Sequence, residues 1–76
     1  MYRYFKQEFD ASIEALNSQR LDKTQAREAY WGIYNDFSKR IREGERDMKL
    51  LHTERETLDN YFRSSVELNS WAAAGH

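Results

Sequence analysis

Apolar residues recur with the period of an α-helix through the middle of this chain, between residues 26 and 41. The residues of this apolar face are Ala26, Tyr30, Ile33, Phe37 and Ile41. Their spacings of three and four residues place them in line along one side of a helix, because an α-helix completes a turn about every 3.6 residues. Trp31 and Tyr34 flank this side and widen it. The stretch therefore predicts a helix whose broad aromatic side has to be buried, against its own chain or against another.

A second apolar face precedes it and predicts a first helix over residues 2–18. Its members are Tyr2, Phe5, Phe9, Ile13 and Leu16. Asn17 and Ser18 have low helix propensity and are expected to end this helix. Asp22 is followed three residues later by Gln25, which is the sequence of a capping box. We therefore expect a second helix to begin at residue 22, antiparallel to the first because the connection is short.

The end of the second helix depends on Gly44, which allows two interpretations. In the first, Gly44 follows the C-terminus of that helix, after a last turn rich in basic residues. The second and third helices then cover residues 22–43 and 47–71, Asp47 caps the third, and residues 72–76 form a frayed tail. In the second, the apolar spacing continues through Gly44, and one helix of about 70 Å covers residues 23–69. The short first helix is too small to cover such a rod, which would have to dimerise.

Both interpretations predict an all-α protein with a single domain of 76 residues. The fold is a short helical bundle, either an antiparallel helical hairpin extended to three helices or a long second helix that dimerises, with coiled-coil packing. The absence of Pro agrees with this prediction, because Pro is the strongest helix breaker. The chain also lacks Cys, a run of about 18 apolar residues and the apolar core of a signal peptide, so we predict a cytoplasmic protein.

The composition favours a protein that binds other proteins. Eleven aromatic residues stand beside twelve large aliphatic ones, and aromatic residues are enriched at protein–protein interfaces. A small core that uses large rings to gain buried area is the alternative explanation. The net charge of −1 is unlike that of a dedicated nucleic-acid binder, which is usually basic overall or on one face.

Catalytic and metal-binding chemistry has little support in the sequence. His52 and His76 are the only imidazoles, and a nucleophilic cysteine is absent. Glu56 lies one helical turn after His52, but a di-iron type of site needs Glu three residues before each His, and position 49 is Lys. We therefore expect no catalytic residue, no metal ligand and no cofactor.

The strongest local charge feature is a group of five basic residues, called here the basic cluster. Its members are Lys39, Arg40, Arg42, Arg46 and Lys49. These side chains are candidates for binding phosphates, with the neighbouring aromatic rings stacking on bases, or for binding an acidic patch on a protein. They also have a purely structural explanation, because cations near a helix C-terminus interact favourably with the helix dipole.

A candidate partner-binding surface lies further towards the start of the second helix, at Tyr30, Trp31, Tyr34 and Arg27. If the other helices cover the apolar face, Trp31 is left at its edge, and exposed aromatic rings beside Arg resemble an interface hot spot. The alternative is that Trp31 packs into the core. The predicted function is a non-enzymatic protein–protein interaction module, such as a small inhibitor, adaptor or chaperone that docks on a larger protein.

Two further expectations accompany this prediction. The first is a homodimer, because one short chain has difficulty covering both sides of the second helix. The second is an origin in a phage or mobile element, where small helical proteins are common. The alternative function is a nucleic-acid-associated regulator that uses the basic cluster.

Overall fold

The computed structural model describes residues 1–75 and contains three helices, with no strand in that range. They are α1 (Tyr2–Asn17), α2 (Lys23–Arg46) and α3 (His52–Ala73). The helices pack against one another as a compact bundle, which confirms the predicted all-α fold. No helix within residues 1–75 has the length and apolar character needed to cross a bilayer.

The helices run up, down and up again. Asn17, at the end of α1, donates a hydrogen bond to Asn69, near the end of α3, over 3.3 Å. α1 and α3 are therefore parallel. Gly44, near the end of α2, lies against Phe5 at the start of α1, so α2 is antiparallel to both. This arrangement follows from two short connections, each of which returns the chain along the helix before it.

The core consists of one apolar side from each helix and centres on three phenylalanine rings. Phe9 of α1 stacks on Phe62 of α3 with ring centroids 4.2 Å apart. Phe37 of α2 meets both rings edge-on, at 5.5 Å from Phe9 and 5.6 Å from Phe62. The predicted apolar faces are thus buried against each other within one chain. The buried apolar residues are Phe5, Phe9, Ile13, Leu16, Ala26, Tyr30, Phe37, Ile41, Leu50, Leu58, Phe62 and Val66.

The first connection confirms the predicted capping box. The Asp22 carboxylate accepts a hydrogen bond from the backbone N–H of Gln25 at 2.8 Å, and the Gln25 side chain accepts one from the Asp22 N–H at 3.4 Å. Helix α2 starts at the next residue, Lys23. The local sequence was sufficient here because both partners of the cap lie within one helical turn.

The second connection corrects the prediction at Gly44. α2 does not end there but continues to Arg46, with Asp47 as its C-cap. The residue in the left-handed conformation is Met48, with φ of 63°. Its N–H donates to the carbonyl of Glu45, and the N–H of the following residue donates to the carbonyl of Gly44. These two bonds form a Schellman motif, the usual C-terminal cap of a helix, with Met where Gly is preferred.

Gly44 is instead a position of close approach inside α2. A Cβ atom there would lie 3.2 Å from Cδ1 of Leu50 and 3.4 Å from Cε2 of Phe5. The missing side chain lets the turn after α2 fold back and bring Leu50 into the core. The glycine marks a packing contact within the helix rather than its end.

The start and end of α3 also differ from the prediction. The helix begins at His52, five residues after the predicted start at 47, because Asp47 caps the end of α2 instead. The Glu54 carboxylate accepts a hydrogen bond from the Leu51 N–H at 2.8 Å and satisfies one of the free amides at the new start. The turn between α2 and α3 rules out the continuous 70 Å helix. At the other end, α3 includes Ala73 and so extends into the predicted frayed tail, while His76 lies outside the described residues.

Candidate functional site

The structure uses His52 as a link between helices. Its Nδ1 lies 2.9 Å from the carboxylate of Glu45, at the end of α2, and its Nε2 lies 3.0 Å from that of Glu56. Glu45 also accepts a hydrogen bond from Arg55 at 2.8 Å, and this bond, followed by that from His52, lowers the pKa of Glu45. Both ring nitrogens are thus engaged with carboxylates. Within residues 1–75, no group of three or more His, Asp or Glu is arranged to hold a metal ion.

Trp31 lies at the edge of the core and is partly exposed. Its ring packs against the cluster of buried residues and meets the ring of Tyr34 edge-on, with centroids 5.7 Å apart and planes at 77°. The two interpretations of Trp31 from the sequence therefore each describe part of the ring. One portion of the ring packs on the core, and the remainder faces the solvent.

Tyr34 is held in place from α3. Its hydroxyl donates a 2.6 Å hydrogen bond to Asp59, and it accepts one of 3.3 Å from Arg63. Arg63 also bonds the other carboxylate oxygen of Asp59 at 3.0 Å, so the three side chains form a closed set. The hydrogen bond to Tyr34 and the nearby charges raise the pKa of Arg63. The sequence shows Asp59 and Arg63 as a pair one helical turn apart, but no local signal connects them with Tyr34.

Tyr30 belongs to the core and not to the predicted partner-binding surface. Only 4% of its surface is exposed, and its hydroxyl donates to the side chain of Asn17 on α1. Burial raises the pKa of this hydroxyl. The sequence left this position open because Tyr30 and Trp31 are neighbours, and a rotation of about 100° between them decides which one faces the core.

Arg27 lies one turn before Trp31 on the same side of α2 and is exposed. Together with Trp31 it lines an open hollow of about 620 Å³ between α2 and the end of α3. The other residues around this hollow are Lys23, Thr24, Glu28, Ser70 and Ala74. Three of the four predicted partner-binding residues therefore remain on one surface.

The structure divides the basic cluster. Arg42 and Lys39 line a second hollow of about 430 Å³ together with Arg46. Arg40 is directed to another side of α2, where it pairs with Asp36 at 2.9 Å and lies over a phenyl ring of the core. Lys49 lies beyond the helix in the turn. Five basic residues in sequence thus become three on one surface.

Ion pairing reduces the available charge further. Arg46 bonds the neighbouring Asp47 at 3.1 Å, and this bond raises the pKa of Arg46 and lowers that of Asp47. Lys39, Arg42 and Lys49 make no ion pair with another residue in the described range 1–75. Because α2 continues to Arg46, the predicted last turn rich in basic residues is wrong, and Arg46 is the basic residue in that turn. The helix dipole therefore does not explain Lys39, Arg40 and Arg42.

Comparison with protein-family models, with curated proteins and with solved structures gives no significant match for this chain.

Proposed function

We propose that this chain is a non-enzymatic protein-binding module, an inhibitor, adaptor or chaperone, and that the surface around Trp31 contacts the partner. The observation that carries the proposal is a large ring fixed at the edge of the core while part of it faces the solvent. Trp is among the residue types that contribute most to binding at interfaces, and Arg27, one turn away, is another such type.

The support from Tyr34 strengthens this proposal. Asp59 and Arg63 hold the tyrosine hydroxyl, and the tyrosine ring in turn supports the edge of Trp31. A side chain that is already ordered loses little conformational entropy when a partner covers it, so more of its contact energy appears as affinity. The set of hydrogen bonds therefore suits a preorganised contact surface.

The test is affinity capture followed by mass spectrometry, with melting curves on the same protein samples. Trp31→Ala is expected to lose a partner that the unchanged chain captures and to keep a cooperative melt. Leu68→Ala is the matched control, because Leu68 is 66% exposed on α3 and lies roughly 200° around that helix from Ser70 in the hollow. The control should retain the partner. Arg27→Ala offers a second variant at an exposed position that leaves the core intact.

Two results would refute the proposal. One is the same set of captured proteins for Trp31→Ala and the unchanged chain. The other is a loss of about 3–5 kcal/mol of stability in Trp31→Ala while Arg27→Ala captures normally, since that magnitude is typical of a large ring removed from a core.

Self-association is a related expectation. Helices α1 and α3 cover the core face of α2 within one chain, so a homodimer would have to use another surface, such as that around Trp31. Sedimentation equilibrium is expected to show a dimer that Trp31→Ala dissociates. If the chain is a monomer at every concentration, the homodimer prediction is wrong and the partner is a different protein.

A nucleic-acid-associated regulator is the second candidate function, and the hollow beside Lys39 and Arg42 is the observation that favours it. Binding to a generic duplex should then weaken steeply with salt. The double variant Lys39→Ala with Arg42→Ala should reduce the slope of the logarithm of the binding constant against the logarithm of salt concentration by the equivalent of about two phosphate contacts. Absence of binding at low salt would exclude this candidate.

A further inference from the structure

The two hollows on α2 are parts of one surface. Trp31 lines the first and Tyr34 lines the second, and their rings are in contact. Arg27, Trp31, Tyr34, Ser38 and Arg42 are spaced by four, three, four and four residues, so they follow one side of the helix. We call these residues, together with Lys39 beside them, the α2 strip. From Arg27 to Arg42 it extends about 22 Å along the helix axis.

The strip carries positive charge at its two ends and aromatic rings in its middle. Arg27 at one end, and Lys39 and Arg42 at the other, make no ion pair with any residue in the described range 1–75. Of the nearby carboxylates, Asp59 is engaged by Tyr34 and Arg63. Glu28 and Glu43 border the hollows, one at each end, and offset only part of the charge.

Local charge decides which ligand suits this surface, even though the whole chain is close to neutral. The net charge of −1 exerts little force at a distance, and exposed charges are screened beyond about 8–10 Å at physiological salt. A ligand that approaches the strip therefore experiences mainly the side chains nearby. These are the three cations of the strip, Lys23 beside Arg27, the carboxylates of Glu28 and Glu43, and the rings between them. A complementary ligand carries negative charge at two places about 20 Å apart and an apolar group between them.

We infer that the α2 strip binds an acidic segment of a protein partner, with carboxylates against Arg27 at one end and against Lys39 and Arg42 at the other, and an apolar side chain against Trp31 between them. This inference rests on the proposed function, which it makes specific. Carboxylates pair with guanidinium groups through two parallel hydrogen bonds, and the ring at the centre excludes water from the contact.

The strip suits a protein segment better than a nucleic acid. A duplex presents one charge about every 1.7 Å, whereas the strip offers three unpaired cations over about 22 Å. Arg40 faces away and Arg46 is paired with Asp47, so neither adds freely to the strip. The middle of the surface is aromatic, where a phosphate backbone would need further cations.

The experiment uses a phage-displayed library of random peptides about 16 residues long as the probe, selected against the full chain. The selected peptides are expected to carry Asp or Glu on both sides of an aromatic or aliphatic residue. The double charge reversal Lys39→Glu with Arg42→Glu should weaken their binding at least about tenfold, and added salt should weaken it as well.

Arg3→Glu with Arg20→Glu is the matched control. It changes the net charge by the same amount at two exposed positions outside the strip. Binding of the selected peptides to this control should stay within about twofold of that to the unchanged chain. Equal losses in both double variants would show a general charge effect and overturn the inference.

The remaining outcomes separate the inference from the function beneath it. Peptides that depend on Trp31 but show no acidic bias and tolerate the reversal overturn the inference and leave the proposed function standing. Peptides that ignore Trp31, or a library that yields no binder, count against both. A third outcome is that no acidic peptide is selected, the chain binds a 20-base-pair duplex, and the double charge reversal abolishes that binding. This outcome overturns the inference and assigns the surface to nucleic acid.

Discussion

Replacing Gly44 by Ala tests the conclusion that this glycine is a packing contact. The matched change is Gly32→Ala, which lies in the same helix and has no neighbouring atom within 4 Å of the added Cβ. Both substitutions replace Gly by the best helix former, so each gains about 1 kcal/mol from helix propensity. Any difference between them then reports the surroundings of the new methyl group.

The structure gives the sign of that difference. At position 44 the added Cβ meets Leu50 at 3.2 Å and Phe5 at 3.4 Å, closer than relaxed carbon contacts of about 3.5–4.0 Å. Forcing a methyl group into a packed core typically costs about 1–3 kcal/mol. We expect Gly32→Ala to raise the free energy of unfolding by about 1 kcal/mol, and Gly44→Ala to lower it by about 0–2 kcal/mol.

Urea and thermal unfolding, followed by circular dichroism, measure both changes. In a domain of this size 1 kcal/mol corresponds to about 4–8 °C in Tm, which is well resolved. A Leu50→Ala background provides a second check, because the two leucine atoms closest to the added Cβ are then gone and Gly44→Ala should regain its stabilising effect. If Gly44→Ala stabilised the unchanged chain as much as Gly32→Ala does, Gly44 would not be a close packing contact.

Three further predictions concern the two caps of α2 and the partly buried hydroxyl of Tyr61. Asp22→Ala should lower stability by about 0.5–2 kcal/mol in urea unfolding through loss of the N-cap, and an unchanged midpoint would contradict this. Met48→Gly should raise the free energy of unfolding by about 0.5–1 kcal/mol in the same assay, because relief of the left-handed strain at residue 48 exceeds the entropy that Gly adds to the unfolded chain. A lower free energy of unfolding would contradict this prediction. The hydrogen bond to Asp10, with burial, raises the pKa of Tyr61 from 10.0 to about 12 in the folded chain. The Tyr61 hydroxyl therefore contributes fully to the free energy of unfolding below pH 10, and this contribution is lost as the pH rises towards 12. Tyr61→Phe should therefore show a shallower loss of stability between pH 10 and 12, and an unchanged slope would show that this bond is not responsible.

Features that depend on neighbours within one or two helical turns can be predicted from the amino-acid sequence alone. The apolar spacing identified the buried faces of α1 and α2, because the backbone geometry of a helix fixes which positions share a side. The capping box at Asp22 was equally readable, because donor and acceptor are three residues apart. The same geometry put Trp31 beside the apolar face, but the sequence left open whether the ring is exposed there or packs into the core.

The tertiary structure decided everything that depends on how distant helices approach each other. Gly44 has the same local sequence signal as a terminating glycine, and only the approach of Leu50 and Phe5 shows that it is an interior contact. The hydrogen bond that joins Tyr34 to Asp59 connects residues 25 positions apart, which no local pattern specifies. The α2 strip likewise depends on the tertiary structure, because α3 packs beside it and holds Tyr34 through Asp59 and Arg63.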